Sequence, residues 1–564
     1  MSSTLKLLRT AIIIALMAVA YLMVLEWNRD FGDAPATSSG SSTPALSSTA
    51  SNTNPHGELD TPETAGASPE VSSQLAEASA TPVVITTDVL RLTLDPVGGV
   101  IRSAELLKYP VSLKDKSPFP LLETSDRRTY FAQVALLGKD GFYDRKFGQP
   151  PHYRVSQNTW TLRDGEEILD IDLTFEKNGI QLIKRFTLAR NSYEVKVRYL
   201  ISNQSDKPFT ANLATKLVRD DSPDPGSSSG MGAVSFHGPV FSTTKNPYEK
   251  VSLSDLEDGP VKETDESGWI AFIQHYFAAA IIPQTEAMHV YQAKLQQQNG
   301  RKLYLTGFVD PAVEVAPGAK VELPVKLYIG PKVLDILEKV APNLDLTVDY
   351  GWLWWISKPL FLLLKFIHGL VGNWGVAIIL LTVLVKAAFY KLSAASYRSM
   401  ARMRKVAPEL QRLRELYGDD RQKMSQAMME LYRKQKINPL GGCLPILVQM
   451  PVFIALYWVL LESVELRQAP FFGWIQDLSI MDPYFILPLL MGASMYIQTS
   501  LNPAPPDPMQ AKMMRLMPVI FTVFFLWFPA GLVLYWLTNN ILSIAQQWMI
   551  TRTIEKEGLG APSE

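Results

Sequence analysis

Trp374 to Tyr390 reads WGVAIILLTVLVKAAFY, an apolar run interrupted by one charge, Lys386. A straight helix needs about 20 such residues to cross roughly 30 Å of hydrocarbon, and the run extended to 373–392 meets that length. The pattern repeats on both sides of it. Leu444 to Leu461 and Tyr484 to Leu501 carry no charge, and Leu516 to Phe528 and Leu532 to Met549 flank a Phe528-Pro529-Ala530-Gly531 turn. Near the N-terminus Lys6 and Arg9 precede the uncharged run Thr10 to Leu25. An Ala34-Pro35-Ala36 site lies downstream, but polar residues separate it from the apolar run and it contains a proline. The run is therefore read as a retained anchor (1–27) in preference to a cleaved leader. Six spans result, and several are short, which implies a thin local bilayer or helices that border water.

Lys and Arg collect on the cytoplasmic side of membranes. Lys6 with Arg9, the segment Lys391 to Lys436, Lys512 with Arg515, and Arg552 with Lys556 all fall on one side of a six-span chain. Both termini are then cytoplasmic, the short tail 551–564 included, and residues 26 to about 350 lie outside. Composition agrees with this division. The 564 residues carry 54 Lys and Arg against 55 Asp and Glu, yet Glu26 to Asp349 holds 32 basic and 42 acidic residues while the remainder holds 22 and 13. Charged residues are 19% of the chain, below the roughly 25% of soluble domains. An ordinary soluble enzyme is not expected. Cys443 is the only cysteine, so an intramolecular disulfide and a CxxC site are excluded.

The outside part opens with a tether, 28–82. From Pro35 to Pro82 there is no Lys, Arg, Phe, Trp or Tyr, too little apolar surface to offset ordering entropy. From Val83 the period becomes two: Leu90, Leu92, Leu94; then Leu169, Ile171, Leu173, Phe175; then Val195, Val197, Tyr199, Ile201. Asn178-Gly179 between two such runs is a strong hairpin signal. The spacing predicts a large all-β sandwich over 83–345. Its histidines are scattered without metal spacing, so no metal site is expected. Asp220-Asp221 with Asp224 is read as a turn of solvated acids, since the spacing matches no calcium loop.

The segment 393–438 is rich in helix formers, with Val406, Leu410, Leu413 and Tyr417 at three- and four-residue spacing, a Gly418-Asp419-Asp420 turn, and then Met424, Met428 and Leu431. Two helices folded on each other are predicted. Between Lys391 and Lys436 lie 12 basic and 5 acidic residues. Solvated faces obeying the charge bias would account for them, and so would docking to anionic headgroups, RNA or a partner protein through Arg402, Arg404, Lys405, Arg412 and Arg414.

Lys386 within a span costs about 2.5–3.5 kcal/mol if left at the bilayer centre, and no Asp or Glu lies in any span. Water, polar side chains or snorkelling remain as stabilisers. Thr382, Gln449, Asn539 and Asn540 are the candidate polar neighbours, with Phe453, Tyr535 and Trp536 as walls; Gln449 serves equally as interhelical glue. Together they describe a polar cavity with one positive charge, attractive to acidic segments. No P-loop is present and the spans lack Asp and His, so neither a nucleotide nor another cofactor is expected, and the chain is not read as an enzyme. A transporter would need a path through both faces and usually repeated halves; no repeat is visible.

The stretches NPLGGCLPILVQMPVFIALYWVL (Asn438 to Leu460), SVELRQAPF (Ser463 to Phe471) and DPMQAKMMRLMPVIFTVFFLWFPAGLVLYW (Asp507 to Trp536) resemble the Gram-negative form of the YidC/Oxa/Alb family of membrane insertases. The resemblance covers the whole chain. It implies a polytopic α-helical inner-membrane protein with a five-helix insertase core (373–392 and 440–550), a periplasmic β-supersandwich similar to sugar-processing folds, and an amphipathic interfacial helix at 350–370. It also implies a groove open to cytoplasm and lipid, with Lys386 at the family's positive position and Thr382, Gln449 and Tyr535 on positions like its polar and substrate-contacting residues. Nascent inner-membrane proteins, the Sec translocon, ribosomes and the phospholipid bilayer are the implied partners, and DNA is not one. The family usually has arginine where this chain has Lys386. Lysine keeps the charge but lacks the planar fork for bidentate clamping.

Overall fold

The computed structural model describes residues 81–142, 150–226, 235–298, 300–417, 420–434, 444–501 and 508–556. The expected anchor, nearly all of the tether, the tip of the basic hairpin and the tail beyond residue 556 lie outside these residues. The chain forms two compact units, a β unit ending at Thr347 and a helical unit beginning at Val348.

The period-two segments become strands. Ile168–Lys177 pairs with Ile180–Ala189 in the register Lys177↔Ile180, so Asn178 and Gly179 alone make the turn. Both adopt positive φ, 53° and 75°, the backbone that matches the twist of a two-residue hairpin. The hairpin continues through Glu194–Asn203 to Lys320–Pro331, within an eight-stranded sheet. An eleven-stranded sheet, with Thr129–Leu137, Phe209–Asp220 and Arg301–Val309 adjacent, is the second layer. Leucines 90, 92 and 94 are fully buried between the arginine and threonine that face outward. The expectation of a sandwich is met in this two-layer arrangement.

Polar groups also tie the layers. Lys184, fully buried in the eight-stranded sheet, donates to Gly99 O at 2.7 Å, Val134 O at 2.7 Å and Gly98 O at 3.3 Å, all on the other layer. Tyr199 Oη donates to Val134 O at 3.1 Å. The acidic cluster differs from the sequence reading. Asp220 is buried and accepts from Thr129 N at 2.7 Å, and Asp224 accepts from Arg219 Nη2 at 2.6 Å and Arg128 Nη2 at 3.2 Å. Both arginines are almost wholly buried, and the Arg219 guanidinium lies 5.1 Å from the Tyr130 and Phe272 ring centres. Only Asp221 remains the solvated acid that was expected. The cause is long range: Arg128 comes from the turn just before Thr129–Leu137, which local spacing does not register.

In the helical unit, Gly351–Leu353 forms a 3-10 turn leading into Trp354–Val371. Gly372 caps that helix at φ 68°, and Asn373 then caps the next, its side chain accepting from Val376 N at 3.0 Å. Asn373 Nδ2 also donates to Phe471 O at 3.2 Å, which pins the start of Trp374–Ala388. That helix ends four residues before the expected boundary. At Phe389 the chain bends by 67° into a second helix, Tyr390–Lys405. The predicted hairpin therefore contains a third helix, followed by Ala407–Tyr417 and Arg421–Lys434. Pro408 explains the added break: it has no N–H for Arg404 O, and its ring clashes with that carbonyl, whereas the first turn of a new helix accommodates it.

The remaining helices are Leu444–Glu462, Ile486–Ser500, Pro508–Phe525 and Ala530–Lys556. Gly492 permits the close approach of two of them; a Cβ there would lie 1.9 Å from Thr522 Oγ1, as small residues do between membrane helices. By length and composition, Gly351–Val371 is the one continuous described helix able to cross a membrane, while Trp374–Ala388 and Tyr390–Met400 qualify together as a bent pair. Trp352, Trp354 and Trp355 at its start are each more than half exposed.

Candidate functional site

The Trp374–Ala388 helix presents Ala377, Ile378, Leu381 and Val385 to its neighbours and leaves Leu380, Val383 and Leu384 outward. Lys386 sits in its last turn, half-buried. Its Nζ donates to Ser543 Oγ at 2.7 Å and to Gln449 Oε1 at 3.3 Å. Gln449 Nε2 in turn donates to Asn539 Oδ1 at 2.8 Å. Three helices thus meet on one amine through neutral groups, the arrangement required when an unpaired charge sits among apolar helices.

These groups border a cavity of about 340 Å³. Lys386, Gln449, Phe453, Tyr535, Trp536, Asn539 and Asn540 all line it. Phe453 packs edge-on against Trp536, ring centres 4.5 Å apart, and lies 6.0 Å from Tyr535, forming an aromatic wall beside the polar one. Thr382 behaves differently. It is fully buried, its hydroxyl donates to Ile378 O at 2.6 Å on its own helix, and it is absent from the lining.

Sequence reasoning missed Ser543, and also Ser393, Ser396, Tyr397 and Met400, which line the cavity from the bent helix. A signal for Ser543 existed: with Tyr535 and Asn539 it recurs every four residues, so the three share one helix face. The bend at Phe389 carries neither proline nor glycine and left no comparable signal. Of the proposed docking residues, Arg412 is exposed on Ala407–Tyr417; the side chains of Arg402, Arg404, Lys405 and Arg414 lie outside the described residues. Among the described residues no group of acidic, His and Cys side chains is placed to hold a metal.

A β-rich unit joined to apolar helices around a polar pocket defines a membrane protein with a large extramembrane domain. Comparisons make this specific. A family described as the 60Kd inner membrane protein matches residues 366–557, and one described as the YidC periplasmic domain matches residues 82–363. The membrane protein insertase YidC of Hahella chejuensis is 58% identical over 98% of this chain and 99% of its own, and that of Marinobacter nauticus is 53% identical over 98% and 99%. A crystal structure titled as an active YidC insertase with its first transmembrane domain resolved aligns at 18% identity over 83% of this chain and 92% of its own, with a TM-score of 0.36. The chain belongs to the YidC family of membrane protein insertases, inner-membrane proteins with a periplasmic domain.

Proposed function

We propose that the chain inserts and helps fold inner-membrane proteins by taking a polar, often acidic, segment of the client into the Lys386 cavity from the cytoplasmic side. The observation that carries this reading is a single amine held by Ser543 and Gln449 within an apolar helical bundle. A polar tail seated there crosses less hydrocarbon unsolvated, and each buried polar group left without a partner would otherwise cost several kcal/mol. The client helix then passes Phe453, Tyr535 and Trp536 into lipid, driven by apolar burial at roughly 25 cal/mol per Å². Thr382, buried and outside the cavity lining, acts in helix packing. No bond is made or broken.

In this reading the chain spans the membrane six times with both termini cytoplasmic, and Trp354–Val371 lies along the periplasmic surface with its tryptophans in the headgroups. The basic helices after Tyr390 receive ribosome-bound nascent chains or anionic lipid through Arg402, Arg404, Lys405, Arg412 and Arg414, alone or beside the Sec translocon. A photo-crosslinking amino acid at 386, 449 and 535 in turn, exposed to ribosomes stalled on a small inner-membrane protein, tests the path. Crosslinks that move through the three positions as the nascent helix lengthens are expected. Their absence, with client still membrane-bound, refutes it.

A further inference from the structure

Ser543 has one hydroxyl proton and two lone pairs, and the surrounding groups occupy the proton and one lone pair. Its Oγ donates to Asn539 O at 2.7 Å and accepts from Lys386 Nζ at 2.7 Å. Ser543 is 2% exposed. With its proton placed on Asn539 O, it is a fixed acceptor for the amine between two helices, Trp374–Ala388 and Ala530–Lys556.

We infer that Ser543 is the positioning residue for Lys386, aiming its amine so that one N–H faces a single acceptor oxygen on the client. The inference rests on the reading of this cavity as the client's seat. A lysine stem is long and rotatable, and its ammonium has three donors. Ser543 and Gln449 take two of them, the first by the shorter bond. The third is left to a lone carboxylate or carbonyl, taken end-on by one oxygen. Clients with an isolated acidic residue in the translocated segment fit this donor set; those that need two parallel bonds from one carboxylate do not. Tyr397, on the first helix of the basic segment, lines the same cavity.

The test uses the full-length protein in proteoliposomes, with ribosomes translating two versions of one small inner-membrane protein that differ only in Asp or Asn in the translocated tail. The readout is the ratio of Asp-tail to Asn-tail insertion within one preparation, so that loss of folded protein cancels. Ser543→Ala is expected to lower the ratio about tenfold, the scale of one hydrogen bond to a charged group. Ser543→Thr restores it. In a Lys386→Ala background Ser543→Ala adds nothing, because the two act as one unit. An unchanged ratio for Ser543→Ala, or additive losses in the double variant, overturns the positioning role. A Lys386→Ala protein that keeps the parental ratio instead refutes the charge reading of the cavity itself, whatever Ser543 does.

Discussion

Lys184 offers a stability test that is independent of insertion. Its amine is fully buried with no carboxylate among the partners it reaches, only the carbonyls of Gly98, Gly99 and Val134. Burial pushes it down from 10.5 to about 7. Because the folded state holds this proton less tightly than the unfolded state, the unfolded chain binds more protons between about pH 7 and 10.5, and stability rises with pH across that window. Integrating the linkage from about pH 6.5 to pH 9 gives a gain of roughly 2.5 kcal/mol from this residue. His237, pushed down to about 4 by burial and then by Arg219, has the same sign but acts between about pH 4 and 6.5, below the window. Tyrosines such as Tyr130 and Tyr153, raised by burial, oppose the trend only above about pH 10.

The perturbation is Lys184→Met, which keeps the length of the stem and removes the amine. Two carbonyls lose their donor, at about 1–3 kcal/mol each if left dry, while the cost of burying a charge disappears; Val134 O keeps its bond from Tyr199. Net stability at neutral pH therefore changes by little, and the diagnostic quantity is the slope. Native-state hydrogen exchange on Ile180–Ala189 and Thr129–Leu137 in the full-length protein, corrected for intrinsic rates, reports the opening free energy at each pH. The parent should gain about 2–3 kcal/mol from pH 6.5 to 9 and the variant close to none. An equal slope in both proteins would mean that another group titrates, and the reasoning would fail.

Lys386→Glu should reduce insertion of acidic-tailed clients by about tenfold or more, since it places like charges at close range in the cavity, while Lys386→Arg retains most of it; cell-free insertion separates the two. Asp224→Ala strips the shared carboxylate from Arg128 and Arg219 and should cost about 3–5 kcal/mol, seen as early thermal unfolding of the β unit. Gly492→Leu drives a Cβ into Thr522 and should cost about 1–3 kcal/mol by overpacking, measured as a lower midpoint in detergent.

Period-two patterning and one Asn-Gly pair placed the β unit, because alternation reports directly which side chains meet the core. The cavity was partly legible for a related reason: Lys386, Gln449 and Asn539 stand out as polar residues in apolar runs. Ser543 stands out less, because serine is ordinary in membrane helices, and its four-residue spacing from Asn539 and Tyr535 is the one sequence signal that marks it. Tyr397 and Met400 were assigned to a cytoplasmic hairpin, since Phe389 gives no warning of a bend. Likewise Arg128 reaches Asp224 and Arg219 from a segment distant in sequence, and local spacing reads solvated acids where the fold pairs them with buried arginines.

The same contacts explain how a lysine can serve at a position where the resemblance implies an arginine. A guanidinium brings five donors in a rigid plane, and each donor buried without a partner adds a penalty. An ammonium brings three, and Ser543 and Gln449 already answer two. Gln449 is itself anchored through Asn539, so the neutral groups around the amine are held by one another rather than by the lysine. On the proposed reading, such a cradle keeps its shape when the amine turns toward a client oxygen. The charge is then presented and withdrawn without reorganising the bundle, which a bidentate clamp on the same helix would not allow.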